Sequence, residues 1–241
     1  MPDTGILYVA TGERHQEETR RSASSFKVTM PDVPVAIFTD DPPAARAAGC
    51  FDIVRELSDC RHSYVDKLRP LVDSPFERTL FLDTDTYSAA PCYEVFDLLD
   101  RFDLAIAHAP LRAHFHHPLS CPISFPELNT GVIAYRNTRA FRALVANWIE
   151  IFASQPDLEY DQPAFREALY VSDLRFAVLT SEYNLRACFP YFLGGNVEVK
   201  IIHARDDCLD EAIASLRAAP MALLPRVVAP ETLGASAEAG R

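Results

Sequence analysis

Short apolar runs alternate along this chain with longer segments whose apolar positions recur at helical spacing. The short runs end at polar or turn-forming residues, which predicts buried strands. They cover residues 6–10, 34–39, 51–57, 78–82, 104–107, 130–135, 176–179 and 197–202. The longer segments predict helices at about residues 13–27, 62–72, 93–99, 138–152 and 162–169. This alternation predicts an α/β fold in which helices flank a mainly parallel central sheet.

Polar residues stand directly after several of the predicted strands. Thr11, Asp40, Asp83 and His203 each follow an apolar run, and residues 41–43 predict the turn that closes the second run. In mainly parallel sheets, ligands bind beyond the carboxyl ends of the strands. We therefore expect these four side chains to lie at one edge of the sheet.

The segment Asp83-Thr84-Asp85 carries the strongest chemical signal in the chain. Two carboxylates emerge there from a predicted buried strand, and burying them without a cation would be costly. Mg²⁺ and Mn²⁺ prefer one or two carboxylates together with phosphate oxygens. The segment therefore predicts a divalent-metal site that holds a phosphate. The imidazole of His203, at another strand end, offers a nitrogen ligand to the same ion.

The composition argues against some classes of function. Hydrophobic residues make up 49% of the 241 positions and charged residues 24%, as in ordinary globular proteins. The formal net charge of −11 argues against binding to nucleic acid or to an anionic membrane. We expect neither a signal peptide nor an integral membrane segment. Six scattered cysteines without a C-x-x-C pair predict reduced thiols and a cytoplasmic location.

Two further polar segments each admit two interpretations. Asn129 and Gly131 accompany the start of an apolar strand, either as part of a turn or as an amide that contacts a sugar beside a glycine that permits close approach. Asp161 and Gln162 open a predicted helix, either as its N-cap and first-turn residue or as groups that hold sugar hydroxyls.

The remaining organisation concerns one loop and the end of the chain. His114, His116 and His117 could bind a metal, but their position between two predicted strands favours a loop that covers an acceptor. We expect residues 1–217 to form a single domain. Residues 218–241 are rich in Ala and Pro and predict a partly disordered tail.

The order of these motifs resembles that of a known enzyme family. A strand-end D-x-D, then N-T-G before apolar residues, then D-Q, then I-I-H is similar to the pattern of GT-A fold glycosyltransferases, particularly family 8 and its relatives. The resemblance extends from Ile6 to His203. It implies a nucleotide-diphospho-sugar transferase fold with a Rossmann-like sheet. It also implies transfer of a sugar to an acceptor hydroxyl with retention of anomeric configuration.

The resemblance also implies roles for individual residues. Asp83, Asp85 and His203 would hold Mn²⁺ or Mg²⁺ against the diphosphate of a nucleotide sugar, with a UDP-sugar as the first candidate. The acceptor would be a sugar, a lipid or a protein. The candidate catalytic residues, which match contacts to the donor sugar, are Asn129, Asp161 and Gln162. The other candidates for donor binding are Ala10, Thr11, Gly12, Asp40, Lys67, Thr84, Gly131 and Arg205.

One part of the family pattern differs here. Many relatives follow the last histidine with glycine and then Lys-Pro-Trp, whose lysine holds the diphosphate. This chain continues with Ala204-Arg205-Asp206-Asp207, so Arg205 is the candidate replacement for that lysine. Asp206 and Asp207 would add negative charge beside the diphosphate.

Three other functions use the same residues. The motif D-x-D-x-T also opens haloacid-dehalogenase-type phosphatases, in which Asp83 would be the nucleophile and Asp85 the general acid. About eighty residues with three predicted strands precede the motif here, which is unusual for that class. A nucleotidyltransferase would need a basic, glycine-rich loop after the first strand, and residues 10–14 match such a loop poorly. A non-catalytic module that binds sugar nucleotides is the third alternative.

Overall fold

The computed structural model describes residues 3–61, 63–110, 121–189, 193 and 197–218. The strands are β1 (Thr4–Ala10), β2 (Val35–Thr39), β3 (Ile53–Glu56), β4 (Arg78–Leu82), β5 (Thr86–Ser88), β6 (Leu104–His108), β7 (Leu128–Arg136), β8 (Phe176–Leu179), β9 (Leu185–Arg186) and β10 (Ile201–His203). The helices are α1 (Glu13–Thr29), α2 (Pro42–Ala48), α3 (Tyr64–Leu68), α4 (Arg139–Ser154), α5 (Gln162–Tyr170) and α6 (Asp206–Ala218).

Seven strands form the central sheet in the order β3-β2-β1-β4-β7-β6-β8. Six of them run in the same direction, and β7 is antiparallel to both of its neighbours, β4 and β6. The start of β7 therefore lies at the edge where the parallel strands end. The predicted mainly parallel α/β sheet is confirmed.

The register between β6 and β7 shifts near the start of β7. Ile106 pairs with Ile133, but His108 pairs with Leu128, so additional residues of β7 lie between the two pairs. Such irregularities bend a strand and change the direction of its side chains, and they are common beside functional sites. Leu128 packs with Ile133 on one face of the sheet, whereas Val132 packs on the other. The bend lies in the segment that contains Asn129 and Gly131.

A second sheet of three strands, in the order β5-β10-β9, stands beside the central sheet. Helix α1 joins the two sheets through buried hydroxyl groups. Ser22 on α1 contacts the Tyr8 hydroxyl of β1 at 2.8 Å and the Thr86 hydroxyl of β5 at 2.8 Å. The backbone N–H of Ser88 donates to the hydroxyl of Ser25 at 2.8 Å. These bonds hold β5, and with it β10, against the carboxyl edge of the central sheet.

Several predicted elements differ from the structure because of proline and local capping. Residues 41–43 are not a turn: the Asp41 side chain accepts a hydrogen bond from the Ala44 N–H and caps α2, which begins at Pro42. The predicted helix at 62–72 contains α3 and then a 3₁₀ segment, Arg69–Asp73, which has Pro70 near its start. Position 62 lies outside the described residues. The predicted helix at 93–99 consists of two 3₁₀ turns.

The end of the described chain also differs from the prediction. The strand predicted at 197–202 is shorter and begins at Ile201, and His203 is its last residue rather than the residue after it. Helix α6, which follows from Asp206, was not predicted. The histidines at 114, 116 and 117 and residues 219–241 of the predicted tail lie outside the described residues. All six cysteines are free, and no helix in the described ranges is long and apolar enough to cross a membrane.

Trp148 joins α4 to the segment that begins α5. Its indole ring is fully buried and packs edge-on against Phe165, with ring centroids 4.7 Å apart. Its Nε1–H donates to the backbone carbonyl of Asp161 at 2.9 Å. The same carbonyl also accepts from the backbone N–H of Phe165 at 3.0 Å, so Trp148 supplies its second hydrogen bond.

We predict that Trp148→Phe lowers the free energy of unfolding by about 1–3 kcal/mol, because it removes this buried hydrogen bond and part of the buried volume of the indole ring. Urea denaturation measures the change. Glu150→Gln, at an exposed position of the same helix, is the control and should stay within about 0.5 kcal/mol of the wild type. Equal losses in the two variants would contradict the prediction.

Candidate active site

Asp83, Asp85 and His203 converge at the carboxyl edge of the central sheet. Each offers one ligand atom, and the three atoms lie within 4.8 Å of one another. Asp83 and Asp85 follow β4, whereas His203 ends β10 of the small sheet. The His203 Nε2 lies 3.2 Å from Oδ1 of Asp85 and 4.0 Å from Oδ2 of Asp83. The two carboxylates and the imidazole nitrogen therefore occupy one small volume.

A chain of hydrogen bonds determines which nitrogen of His203 carries the proton. The backbone N–H of Gly131 donates to Oδ1 of Asn129 at 3.1 Å, which identifies that atom as the amide oxygen. The Asn184 Nδ2 donates to the same oxygen at 2.9 Å, so the Asn184 oxygen faces Nδ1 of His203, also at 2.9 Å. Because an amide oxygen can only accept, Nδ1 of His203 is the protonated nitrogen.

In this tautomer, Nε2 of the neutral His203 ring carries a free electron pair. Burial, together with the nearby charge of Arg186, lowers the pKa of His203, so the ring is neutral near neutral pH. The free pair then faces the carboxylates of Asp83 and Asp85, an arrangement that repels unless a cation lies between the groups. Metal-bound histidines have the same pattern, in which the other ring nitrogen donates to an oxygen. The residues therefore fit Mn²⁺ or Mg²⁺ held by Asp83, Asp85 and His203.

Gly131 makes room for the imidazole. A Cβ at this position would collide with the His203 ring and would lie 2.8 Å from Oδ2 of Asp83. Because no side chain fits there, the backbone of β7 packs directly against both metal-ligand candidates. The sequence analysis offered Gly131 as a glycine that permits close approach of a sugar. In the structure, the His203 ring occupies the space beside Gly131.

Lys67 links the candidate metal ligands to Asp161. Its Nζ lies 3.1 Å from Oδ1 of Asp83 and 3.5 Å from Oδ2 of Asp161, and it donates to the Thr130 hydroxyl at 3.3 Å. Burial disfavours the ammonium, but the carboxylates of Asp161 and Asp83 outweigh it and raise the pKa of Lys67. Lys67 is therefore a permanently charged cation beside Asp83.

Asp161 does not cap α5 with its side chain. Its Oδ2 accepts a hydrogen bond from the Thr130 hydroxyl at 3.0 Å, and the residue is only 2% exposed. Burial raises the pKa of Asp161, and the Lys67 charge opposes that rise. The N-cap interpretation is therefore confirmed for the position of Asp161, but its side chain makes no capping bond. The two side chains that contact this carboxylate are the hydroxyl of Thr130 and the ammonium of Lys67.

Gln162 and Asn129 extend the hydrogen-bond chain in the other direction. The Asn129 Nδ2 donates to Oε1 of Gln162 at 2.6 Å, and the Gln162 Nε2 donates to Oε1 of Glu127 at 3.2 Å. Among the described residues, these bonds use one of the two N–H groups of each amide. Asn129 lies within β7, at its second residue, rather than before the strand.

The metal-ligand candidates open into a cavity of about 380 Å³. Lys67, Tyr64, Thr11 and Arg205 line it together with the Asp83–Asp85 segment. Pockets that bind small-molecule ligands usually have volumes between roughly 300 and 1,000 Å³. The volume therefore suits part of a nucleotide sugar.

Arg205 and Asp206 have separate surroundings. The Arg205 Nε donates to Oδ2 of Asp85 at 3.0 Å, and about half of the Arg205 side chain remains exposed at the cavity. Asp206 pairs with Arg14 at 3.2 Å, and neither Asp206 nor Asp207 lines the cavity. In the structure, Arg14 partly offsets the charge of Asp206, and the expectation that these aspartates act beside a bound diphosphate stays a prediction.

The segment after β1 turns away from the sheet at Gly12, whose φ of 81° favours glycine. The Gly12 N–H donates to both carboxylate oxygens of Asp40, at 3.0 and 3.2 Å, and Gln16 donates to Asp40 as well. The Asp40 carboxylate therefore fixes the conformation of this segment. Thr11 lines the cavity, and Ala10 is the last residue of β1.

Thr84 lines the same cavity, although its hydroxyl is engaged elsewhere. It donates to Oε2 of Glu18 on α1 at 2.7 Å. This bond ties the D-x-D segment to α1, and His15, which lies next to Glu18, also lines the cavity.

Comparison with known proteins gives structural matches. No protein-family model and no curated protein matches the chain. A crystal structure of an active-site mutant of LgtC matches with a TM-score of 0.63 and 15% identity, over 95% of this chain and 99% of that one. The galactosyltransferase LgtC in complex with donor and acceptor sugar analogues matches with a TM-score of 0.62 at the same identity and coverage. The glycosyltransferase GlyE of Streptococcus pneumoniae matches with a TM-score of 0.63 and 13% identity, over 86% of this chain and 55% of that one.

The chain has the GT-A fold. At these low identities the matches show the fold and carry no residue roles. Among the described parts of this GT-A chain, the structure brings Asp83, Asp85 and His203 together, and Lys67, Asn129, Asp161, Gln162 and Gly131 surround them.

Two residues of the site were missed by the sequence analysis. Asn184 is 4% exposed and orients His203, yet no motif in the sequence around it, Tyr183-Asn184-Leu185-Arg186, marks it. Glu127 is buried and bonded to Gln162. Glu127 lies two positions before Asn129, so the spacing of polar residues at the start of β7 could have indicated it.

We predict that Gly131→Ala weakens Mn²⁺ binding by at least about tenfold, because the added methyl group displaces His203 and Asp83. Isothermal titration calorimetry with MnCl₂ measures the affinity. Val132→Ala is the control, since Val132 is fully buried in the core on the other face of the sheet. It should reduce stability and leave the Mn²⁺ affinity unchanged. Equal Mn²⁺ affinities in the wild type and Gly131→Ala would contradict this account.

We also predict that Asn184→Leu allows His203 to adopt both tautomers, because Nδ1 loses the oxygen to which it donates. Nitrogen-15 NMR of the imidazole should show a protonated Nδ1 in the wild type and a mixture of tautomers in the variant. Mn²⁺ affinity should fall about 10- to 100-fold, the range for lost support of a metal ligand. A wild-type ring protonated only on Nε2 would refute the assignment.

Proposed function

We propose that this protein is a metal-dependent glycosyltransferase that moves a sugar from a nucleotide-diphosphate sugar to an acceptor hydroxyl. The main support is the tautomer of His203, which directs a free nitrogen electron pair at two carboxylates beside a cavity that suits part of a nucleotide sugar. The GT-A fold and the order of the motifs support the same reaction class. A UDP-sugar is the first candidate donor, and retention of anomeric configuration is the proposed outcome, as in family 8.

The bound divalent ion would supply electrostatic stabilisation of the departing nucleoside diphosphate. The protein contributes two cations of its own at the same place. The Lys67 ammonium and the half-exposed Arg205 guanidinium both line the cavity and contact Asp83 and Asp85 respectively. Fixed cations of this kind act where negative charge develops as the anomeric bond breaks.

The amide groups have a positioning role in this proposal. Asn129 and Gln162 are held by their mutual hydrogen bond, and each keeps an N–H for a donor-sugar hydroxyl. Asp161, buried under Lys67, acts through Lys67 rather than on the sugar. Rigid placement of donor and acceptor supplies much of the rate in reactions of this type. Ala10, Thr11 and Gly12 form the proposed nucleoside side of the site, with Asp40 supporting them.

The alternatives make different predictions. The GT-A fold counts against a phosphatase with Asp83 as nucleophile, although Asp83 lines the cavity. A nucleotidyltransferase would release pyrophosphate from a nucleoside triphosphate. A non-catalytic module would bind UDP without hydrolysing any nucleotide sugar.

We predict that UDP binds only with Mn²⁺ or Mg²⁺ present and that Asp85→Ala abolishes this binding, because the ion loses a buried ligand. Calorimetry with UDP, with and without EDTA, measures both effects. Asp97→Ala removes an exposed aspartate distant in sequence from the motif and should bind like the wild type.

A panel of nucleotide sugars then tests for catalysis. Slow metal-dependent hydrolysis of one donor would support a transferase and exclude the binding module. Release of phosphate from p-nitrophenyl phosphate without any UDP binding would refute the proposed function.

A further inference from the structure

A second cavity of about 410 Å³ adjoins the candidate active site. Asn184, the residue that accepts from Nδ1 of His203, is part of its wall. The rest of the wall comes from the end of β6, from the segment after β8 and from β9. A cavity in this position is next to the metal-ligand candidates, and its wall shares no residue with the cavity that Lys67 and Arg205 line.

Arg186 in β9 is the cation of this second cavity. Its partner in the small sheet is His203, because β9 and β10 are parallel and the two residues are in register. Residues paired in this way point to the same face of a sheet. Their preceding partners, Leu185 and Ile202, pack together in the core of the opposite face. Arg186 and His203 therefore both face the active site.

The guanidinium of Arg186 forms no direct ion pair among the described residues, although it lies close enough to Asp85 for the two charges to interact. Its Nε is buried and has no hydrogen-bond partner. The ring centroid of Phe189 lies 5.3 Å from the guanidinium carbon. Glu182 lines the same cavity without pairing with it. A buried arginine donor without an acceptor is costly, and a bound anion would remove that cost.

The electrostatics agree with this position. The chain as a whole carries a formal charge of −11, so an unpaired arginine at the site is not part of a general basic surface. The hydroxyl-bearing residues Thr180 and Ser181 also line the cavity and suit the hydroxyl groups of a sugar.

We propose that this cavity is the acceptor pocket and that Arg186 binds an acidic group, a carboxylate or a phosphate, on the acceptor sugar. The inference rests on the proposed glycosyltransferase function and adds the chemical class of its acceptor. Arginine suits both groups, because its planar guanidinium donates two parallel hydrogen bonds to either.

Matched acceptors test the proposal with the full-length enzyme, Mn²⁺ and the nucleotide sugar that it hydrolyses. Each acidic sugar is paired with its neutral parent: methyl galacturonoside with methyl galactoside, and galactose 6-phosphate with galactose. We expect transfer to an acidic member, and Arg186→Gln should lower kcat/KM for it by roughly 10- to 100-fold. Donor hydrolysis and transfer to neutral sugars should change less than about threefold. The carboxylate and phosphate pairs show which acidic group is recognised.

Two further variants separate a specific role from a general loss of charge. Arg186→Lys keeps the charge but loses the planar pair of donors, so it should recover part of the activity toward acidic sugars. Arg175→Gln removes an exposed arginine that precedes β8, at the end of that strand opposite Thr180, and should match the wild type. Better transfer to neutral parents, or the same acidic-sugar kinetics in Arg186→Gln and Arg175→Gln, would overturn the proposal.

A binding measurement decides the question even if no acceptor in the panel is turned over. The Arg186 Nε–H resonance should shift in ¹H–¹⁵N NMR when galacturonate or galactose 6-phosphate is added to the enzyme with UDP and Mg²⁺, and galactose should leave it unchanged. Arg186→Gln identifies the resonance. An unshifted resonance with both acids would overturn the acceptor assignment while leaving the transferase proposal intact. Absence of metal-dependent UDP binding would instead overturn the transferase itself.

Discussion

The site depends on the close packing of one imidazole against the backbone of one glycine. His203 reaches the carboxylates of Asp83 and Asp85 because Gly131 leaves the space in which its ring lies. That placement brings two negative groups and a nitrogen electron pair into one small volume, an arrangement that favours a bound cation. The GT-A sheet supplies the carboxylates, and the small sheet supplies the imidazole. The arrangement is therefore a property of how the two sheets pack.

Buried polar groups hold that packing more strictly than apolar contacts would. Ser22 on α1 bonds to Tyr8 of the central sheet and to Thr86 of the small sheet, so a shift of either sheet breaks a buried bond. Hydrogen bonds through the amides of Asn129 and Asn184 then link the Gly131 backbone N–H to the imidazole of His203 and fix the orientation of the ring. An unpaired group in this series would be costly, which favours a single arrangement of the site.

The net charge of the chain does not show how the charges are distributed around the site. The chain is acidic overall, but Lys67, Arg205 and Arg186 lie close to the carboxylates at one edge of the sheet. Lys67 is buried and paired, Arg205 is half exposed, and Arg186 has an unpaired donor. An acidic protein can therefore present local cations to anionic ligands without attracting nucleic acid over its whole surface.

The sequence by itself determined the α/β class, most of the strands and the chemistry of the Asp83-Thr84-Asp85 segment. These features are local, because apolar runs and polar residues at their ends are visible within a few positions. Helix α2 was missed because the Asp41-Pro42-Pro43 segment suits both a turn and a capped helix start. The limits of the 3₁₀ segments also depend on packing that a single pattern does not contain.

Only the tertiary structure decided how the site is assembled. The antiparallel direction of β7 and its shifted register turn Asn129 and Gly131 toward His203, and no local pattern specifies either. The Asn184–Asn129 bond joins residues 55 positions apart, and the Arg205–Asp85 bond joins residues 120 positions apart. The tautomer of His203 follows from such bonds alone. The sequence named most of the ligand candidates, but the fold determined which atom of each one faces the others, because that depends on contacts between distant parts of the chain.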